Sequence, residues 1–261
     1  MNILIANDDG IGAVGIKRLA EALSEVADVY ICAPEGERSC ASHSIMMHQP
    51  LSVRNVPFEN AKMALACTGT PVDCVRLGIK VYRDLGIDID MVFSGINLGP
   101  NLGVDTIYSG TVGAAVEGSL VGIPSVAVSV TSHDATHFSY ACDLAVGCAR
   151  YAAGRLGTEY IININAPDLP REEVKGIRYA VPGKIDYVPW FILLDGEEGN
   201  KESVDLVYRY GGTPFIPEQA EDTDVILSGQ GYATISPLRF DMGYEEKSDE
   251  IREWRIDRDV K

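Results

Sequence analysis

The sequence predicts an α/β fold, a Rossmann-like, doubly wound and mostly parallel sheet. Three observations predict it. Segments such as "NILIA", "ADVYICAP", "DMVFSGIN", "PSVAVSV" and "YIININAP" are apolar almost throughout, the pattern of strands buried on both faces. Stretches with helical spacing separate them, which implies crossover connections and helices on both sides of the sheet. Polar, glycine-rich clusters follow several of the strands, where open parallel sheets bind ligands.

The elements can be read in order over residues 1–166, which we expect to form the catalytic core. After "NILIA" comes "AVGIKRLAEALSEVA", in which Val14, Ile16, Leu19, Leu23 and Val26 recur at helical spacing. "ADVYICAP" is a strand closed by Pro34, and a polar loop leads to a short strand-like "LSVRNV". "TPVDCVRLGIKVYRDLG" reads as a helix with Pro71 at its start and Gly86 at its end. "DMVFSGIN" is a strand, "GTVGAAVEGSLVG" a helix, "PSVAVSV" a strand, "HFSYACDLAVGCARYAAGRL" a helix and "YIININAP" a strand.

From 167 to 261 the rhythm changes. "GIRYAVPG", "IDYVPWFILLDG", "SVDLVYRYGG", "TDVILSGQG" and "YATISPL" read as extended segments divided by Gly, Pro and Asp turns. "LDGEEGNKES" reads as a polar hairpin tip, and the charged "DMGYEEKSDEIREWRIDRDVK" as a peripheral helix with little to bury. This second part is expected to be a β-rich arm and oligomerisation element packed with the core as one domain. A homo-oligomer follows, because a long arm and a charged tail need a partner surface.

Composition narrows the function. The chain is 46% hydrophobic and 23% charged, enough for a sizeable core. A formal net charge of -16 excludes a nucleic-acid binder working through basic patches. It also disfavours an anionic substrate unless a bound cation reverses the local sign. The six cysteines form no C-x-x-C pair and several lie in apolar runs, so buried free thiols are expected. No secretory leader precedes the first strand and no apolar run is of membrane-spanning length, so a cytoplasmic protein is expected.

Three strand-end clusters carry candidate chemistry. The first is Asn7-Asp8-Asp9-Gly10. Two carboxylates about 5 Å apart repel by roughly 3 kcal/mol at an effective dielectric near 20. A divalent cation between them more than offsets that, and an Asx turn capping the next helix is the alternative reading. The second is "GERSCASHSIMM", residues 36–47, with Arg38, Ser39, Ser42, His43 and Ser44. The third is "FSGINLGPNLGVDTIYSGTVGAAVEG", residues 93–118. Here Asn97 follows a strand, and Ser109, Gly110 and Thr111 open a helix whose unpaired amides suit a phosphate. No G-x-x-x-x-G-K-[ST] pattern is present, which removes support for ATP-dependent phosphoryl transfer. The combined donors are oxygen throughout, a set that favours Mg²⁺ or Mn²⁺ over zinc.

"ILIANDDGIGAVGI", "APEGERSCASHSI", "TGTPVDCVRLGI", "SGINLGPNLGVDTIYSGTVGAAVEG" and "DTDVILSGQGYATISPL" resemble, in order and spacing, the survival protein E (SurE) family of metal-dependent nucleotidases. The resemblance runs from residue 3 to about residue 238. It implies a swapped C-terminal β-hairpin arm and terminal element, hence a homodimer or homotetramer. It implies one divalent metal ion held by Asp8, Asp9, Ser39 and Asn97, and a nucleoside monophosphate as substrate. The position of Gly113 is more often Ala in the family, read here as a packing detail.

The reaction expected is hydrolysis of a phosphomonoester by attack of water. Asp8 is assigned to the water and Asp9 to the metal, while Asn7, Asn101, Ser109, Gly110 and Thr111 hold the substrate phosphate. A covalent aspartyl-phosphate at Asp8 is the mechanistic alternative. A non-catalytic nucleotide-sensing module and a structural oligomer with solvated acidic turns are the functional rivals.

Overall fold

The computed structural model describes residues 1–195, 206–244 and 247–254. Its elements are β1 (Asn2–Ala6), α1 (Val14–Leu23), β2 (Asp28–Pro34), β3 (Val53–Asn55), β4 (Met63–Cys67), α2 (Pro71–Asp84) and β5 (Met91–Leu98). There follow α3 (Gly110–Leu120), β6 (Ser125–Val130), α4 (Ser139–Ala152), β7 (Ile161–Ala166), β8 (Ile177–Tyr179) and β9 (Asp186–Val188). The remainder are β10 (Phe191–Asp195), β11 (Val207–Tyr210), β12 (Thr213–Phe215), α5 (Asp224–Gly229), β13 (Ala233–Leu238) and α6 (Ser248–Glu253).

Among the described residues, nine strands form one sheet in the order β3-β4-β2-β1-β5-β6-β7-β13-β8. The run β4-β2-β1-β5-β6-β7 is parallel throughout. From β1 the chain winds outward through β2 to β4, then returns to place β5 on the other side of β1. The order therefore reverses between β1 and β5. At such a switch point the flanking loops diverge and leave a crevice at the strands' carboxyl ends.

Helix α1 packs Ile16, Leu19 and Leu23 on one face of the sheet, beside Ala141, Ala145 and Ala149 of α4. Val14, expected on the same stripe, is exposed, and Gly15 takes the inward place. The other face receives Cys74, Val75, Ile79 and Tyr82 of α2 and Ala114 of α3. Helix α2 begins with a capping box, Thr70 and Asp73 satisfying each other's backbone N–H, and Pro71 in the first turn. Every residue of α3 from Gly110 to Ser119 is buried.

The structure corrects the sequence reading in several places. "MALAC", which the sequence reading assigns to no element, is β4 and pairs with β2 along five positions. "IDYVPWFILLDG" is not one extended segment but two strands, β9 and β10, separated at Pro189 and Trp190. "TDVILSGQG" is not extended: its first part is α5, whose Asp224 carboxylate accepts the N–H groups of Gly103 (2.9 Å) and Gly183 (2.7 Å). One buried acid thus ties the loop after β5 to the arm. Most of the polar tip in "LDGEEGNKES", the start of "SVDLVYRYGG" and the tail beyond 254 lie outside the described residues.

Strand β13 lies antiparallel to β7 and completes the main sheet with β8. The pairs β10–β11 and β9–β12 form two small separate sheets. All six cysteines are free, but only Cys32, Cys67 and Cys74 are fully buried; Cys142 and Cys148 are half-buried and Cys40 is exposed. Among the described residues no helix is long and apolar enough to cross a membrane.

Candidate active site

The site lies at the carboxyl ends of β1 and β5, against the start of α3. Asn7 closes the turn after β1 by donating its Nδ2 to the Gly10 carbonyl at 2.9 Å, while its buried Oδ1 has no hydrogen-bond partner. Gly10 has φ +94°, and a Cβ there would lie 2.9 Å from the Gly36 carbonyl carbon. Only glycine allows this turn to touch the 36–47 loop.

Asp8 is 4% exposed and held from both sides by Thr111. Its Oδ1 accepts the Thr111 hydroxyl at 2.5 Å and its Oδ2 the Thr111 backbone N–H at 3.1 Å. The helix start therefore places its positive end on an acid of this chain. Gly110 permits the approach, since a Cβ there would lie 2.9 Å from Asp8 Oδ2. Ser109 caps α3, accepting the Val112 N–H at 3.0 Å. Of the residues expected to hold the phosphate, Ser109 thus caps the helix and Thr111 holds Asp8.

Asp9 is less buried, and its Oδ2 accepts the Leu98 N–H at 3.2 Å. Asn97 donates Nδ2 to the Gly99 carbonyl at 2.9 Å, which leaves its Oδ1 directed to within 3.4 Å of the Thr111 hydroxyl. Asp8, Asp9, Asn97 and Thr111 thus converge. Ser39 is exposed, and its hydroxyl donates to Glu37 Oε1 at 2.6 Å instead of reaching the acids. Its loop is nonetheless anchored on β1's end, the Arg38 N–H meeting the Asp8 carbonyl at 2.7 Å.

Asn101 also has partners within the protein. It is buried in a polar seam away from the acids, donating Nδ2 to Ser129 at 2.8 Å while its carbonyl accepts from Asn163 and Asn165. Its amide is spent on holding the loop to β6 and β7.

Electrostatics sharpen the picture. Burial pushes the Asp8 carboxyl above the ordinary range, against the hydrogen bonds from Thr111. Burial, then the charge of Asp8, pushes Asp9 up to about 6, with Glu37 adding to the rise and His133 opposing it. Among the described residues no ion pair reaches either acid. A pair of carboxylates desolvated together, with Asn97 Oδ1 beside them, is a donor set that fits a hard divalent cation. The described residues hold no cluster of three or more His, Cys, Asp or Glu around a metal position, so half of the proposed ligand set would be neutral oxygen.

His43 has a definite place. Its Nε2 lies 2.8 Å from Glu117 Oε2, and Arg76 of α2 pairs with the other Glu117 oxygen. Glu117 sits in the buried helix α3, where burial alone would raise its pKa. The bonds from His43 and Arg76 outweigh burial and hold it below the ordinary carboxylate range. The trio pins the 36–47 loop to α2 and α3. Gly113 is also more than a packing detail, since a Cβ there would lie 2.5 Å from the Ser42 carbonyl oxygen. Replacing His43 by Ala removes one partner of a buried charge and is expected to cost about 1–2 kcal/mol in urea unfolding, with Arg76 limiting the loss.

Two residues at the site escaped the sequence reading, Glu37 and His133. Glu37 lies inside a loop singled out for its hydroxyls. His133 follows β6, and the polar "TSHDATH" after that strand was the signal that would have found it.

The fold defines a doubly wound α/β protein with an acidic, oxygen-lined candidate site at the switch point of its sheet. Comparison with known proteins specifies it further. The chain belongs to the SurE family: the family model described as survival protein SurE matches residues 3–188. It is 42% identical over 244 residues to the 5'-nucleotidase SurE of Pelotomaculum thermopropionicum, covering 93% of this chain and 90% of that protein. It is 40% identical over 255 residues to the 5'/3'-nucleotidase SurE of Cronobacter sakazakii, covering 97% and 96%. Among solved structures it resembles the SurE protein of Aquifex aeolicus, with TM-score 0.83 and 32% identity over 97% of this chain and 99% of that one.

Proposed function

We propose that the protein is a divalent-metal-dependent phosphomonoesterase that hydrolyses nucleoside monophosphates to nucleoside and phosphate. The names of its relatives supply the reaction class. The observation that carries the metal requirement is the convergence of Asp8, Asp9 and Asn97 Oδ1, two desolvated acids and an amide oxygen that no ion pair neutralises among the described residues. Ser39 completes the proposed ligand set from the adjacent loop. One Mg²⁺ or Mn²⁺ ion at these residues would supply charge for the phosphoryl oxygens in the transition state.

The chain's own residues divide the remaining work. Both oxygens of Asp8 are engaged by Thr111, so Asp8 is the fixed anchor and its orientation survives turnover. Asp9 keeps Oδ1 without a partner among the described residues and is the better group to orient the attacking water and take its proton. This reverses the division of roles expected from the sequence. Asn7 holds the turn that aims both acids, and Gly110 lets α3 close on them without a steric gap.

Removal of divalent ions with a chelator is expected to lower phosphate release from nucleoside monophosphates at least about 100-fold, several kcal/mol of lost charge stabilisation. Restoring Mg²⁺ or Mn²⁺ returns it. Tight nucleotide binding without phosphate release under any metal would favour the sensing module instead.

We further propose a homodimer or homotetramer built through residues 167–261. Phe191, Tyr208 and Tyr210 stand exposed on β10 and β11, and Trp190 beside them. Such aromatic surface is suited to covering by another copy. Light scattering of the purified chain tests this directly.

A further inference from the structure

We propose that His133 is the general acid of the reaction, protonating the nucleoside oxygen as the phosphate ester breaks. The proposal rests on the nucleotidase reading above and adds a residue to it.

His133 stands in the loop after β6, at the same edge of the sheet as Asp9. Its Nδ1 lies 3.2 Å from the Leu98 carbonyl. A carbonyl only accepts, so Nδ1 carries the hydrogen and Nε2 is the nitrogen left for other chemistry. Among the described residues Nε2 has no protein partner. Leu98 also donates its N–H to Asp9 Oδ2, so one residue of β5 positions both groups. His133 is close enough for its charge to act on Asp9. The charges that act around Asp9 are those of Asp8, Glu37 and His133, and Asp134 follows His133 in the chain; His137 is occupied by Asp168 at 3.0 Å. Space for the ring is made by Gly99. With φ +116°, its Cβ would lie 2.4 Å from the imidazole Cε1 and 2.6 Å from Nδ1. A surface histidine without a task needs neither a bonded nitrogen nor a glycine beneath its ring.

The step balances. Water attacks phosphorus and loses a proton to Asp9 while the bond from phosphorus to the ribose oxygen breaks. The electron pair of that bond stays on the ribose oxygen, which takes the proton from imidazolium Nε2 and leaves as a hydroxyl. His133 is left neutral and Asp9 protonated, and exchange with solvent resets both.

The test compares two leaving groups. His133→Asn, and His133→Gln as a second variant should the first fold poorly, are assayed on a nucleoside monophosphate and on p-nitrophenyl phosphate. The phenolate leaves without a proton, whereas the ribose oxygen needs one. The expected result is a loss of about 10²–10⁴-fold in kcat on the nucleotide, the range of general acid catalysis, with near-unchanged hydrolysis of the aryl ester. Equal losses on both substrates, or none on either, overturn the proposal. The unchanged enzyme is read first: if it cleaves the aryl ester but no nucleotide, the substrate assignment fails and the acid role falls with it.

Discussion

Asp9→Asn is expected to lower nucleotide hydrolysis about 10³-fold and, in the same preparation stripped of divalent ions, to raise stability at neutral pH. The two effects oppose because the carboxylate is placed for a ligand and against the fold. Asp9 is pushed from 3.8 to about 6 by burial first and by Asp8 second. A group whose folded pKa is raised favours the fold below its unfolded pKa and loses that contribution as pH rises through the folded value. The metal-free chain should therefore lose stability between about pH 4 and pH 6 on account of Asp9. Asparagine does not ionise, so the variant lacks this loss. Thermal melts in chelator across pH 4–8 should diverge in that window. Added Mg²⁺ or Mn²⁺ should then stabilise the unchanged chain above pH 6 and leave the variant little changed. Parallel melts with identical metal response would remove the basis for a cation between the acids.

The second large effect is expected at Gly15, outside the site. A Cβ on Gly15 would stand 1.9 Å from the Ile96 carbonyl oxygen and 2.9 Å from its carbon. Both contacts are backbone, so no side chain can turn away. Gly15→Ala must move α1 off β5 or displace the end of β5, where Asn97 is the next residue. A loss of at least about 3 kcal/mol is expected, at the upper end of overpacking costs, with weaker metal binding by calorimetry. Gly12→Ala is the control, since no atom lies within 4 Å of a Cβ there. Its urea midpoint should match that of the unchanged chain.

The elements that were legible share one property, a pattern long enough to be read locally. Strands β1, β2, β5, β6 and β7 are predominantly apolar runs, and α1 to α4 show helical spacing or clear caps. "MALAC" was not legible because five residues with two alanines carry little strand signal, and β4 is held by its pairing with β2. "DVILSG" looked extended because Val, Ile and Leu follow one another. It is helical where the Asp224 carboxylate is fixed by two distant glycine N–H groups.

The site divides in the same way. Asp8, Asp9 and Asn97 could be picked out because acids and amides at the ends of buried strands have few structural uses. The partners of these side chains could not be, because they come from residues far apart in sequence. Thr111 reaches Asp8 across 103 positions and Glu117 reaches His43 across 74.

By itself, then, the sequence determined that this chain builds a parallel sheet and puts two carboxylates at its ligand-binding edge. Apolar periodicity and strand-end polarity are properties of neighbouring residues, and neighbours are visible in one dimension. Only the tertiary structure decided that Thr111 locks Asp8 and leaves Asp9 open, that Asn101 is spent in the interior, and that His133 stands over Gly99 beside the acids. A hydrogen bond is set by distance and angle between groups the fold brings together. Those distances come into being only when β1, β5 and α3 meet.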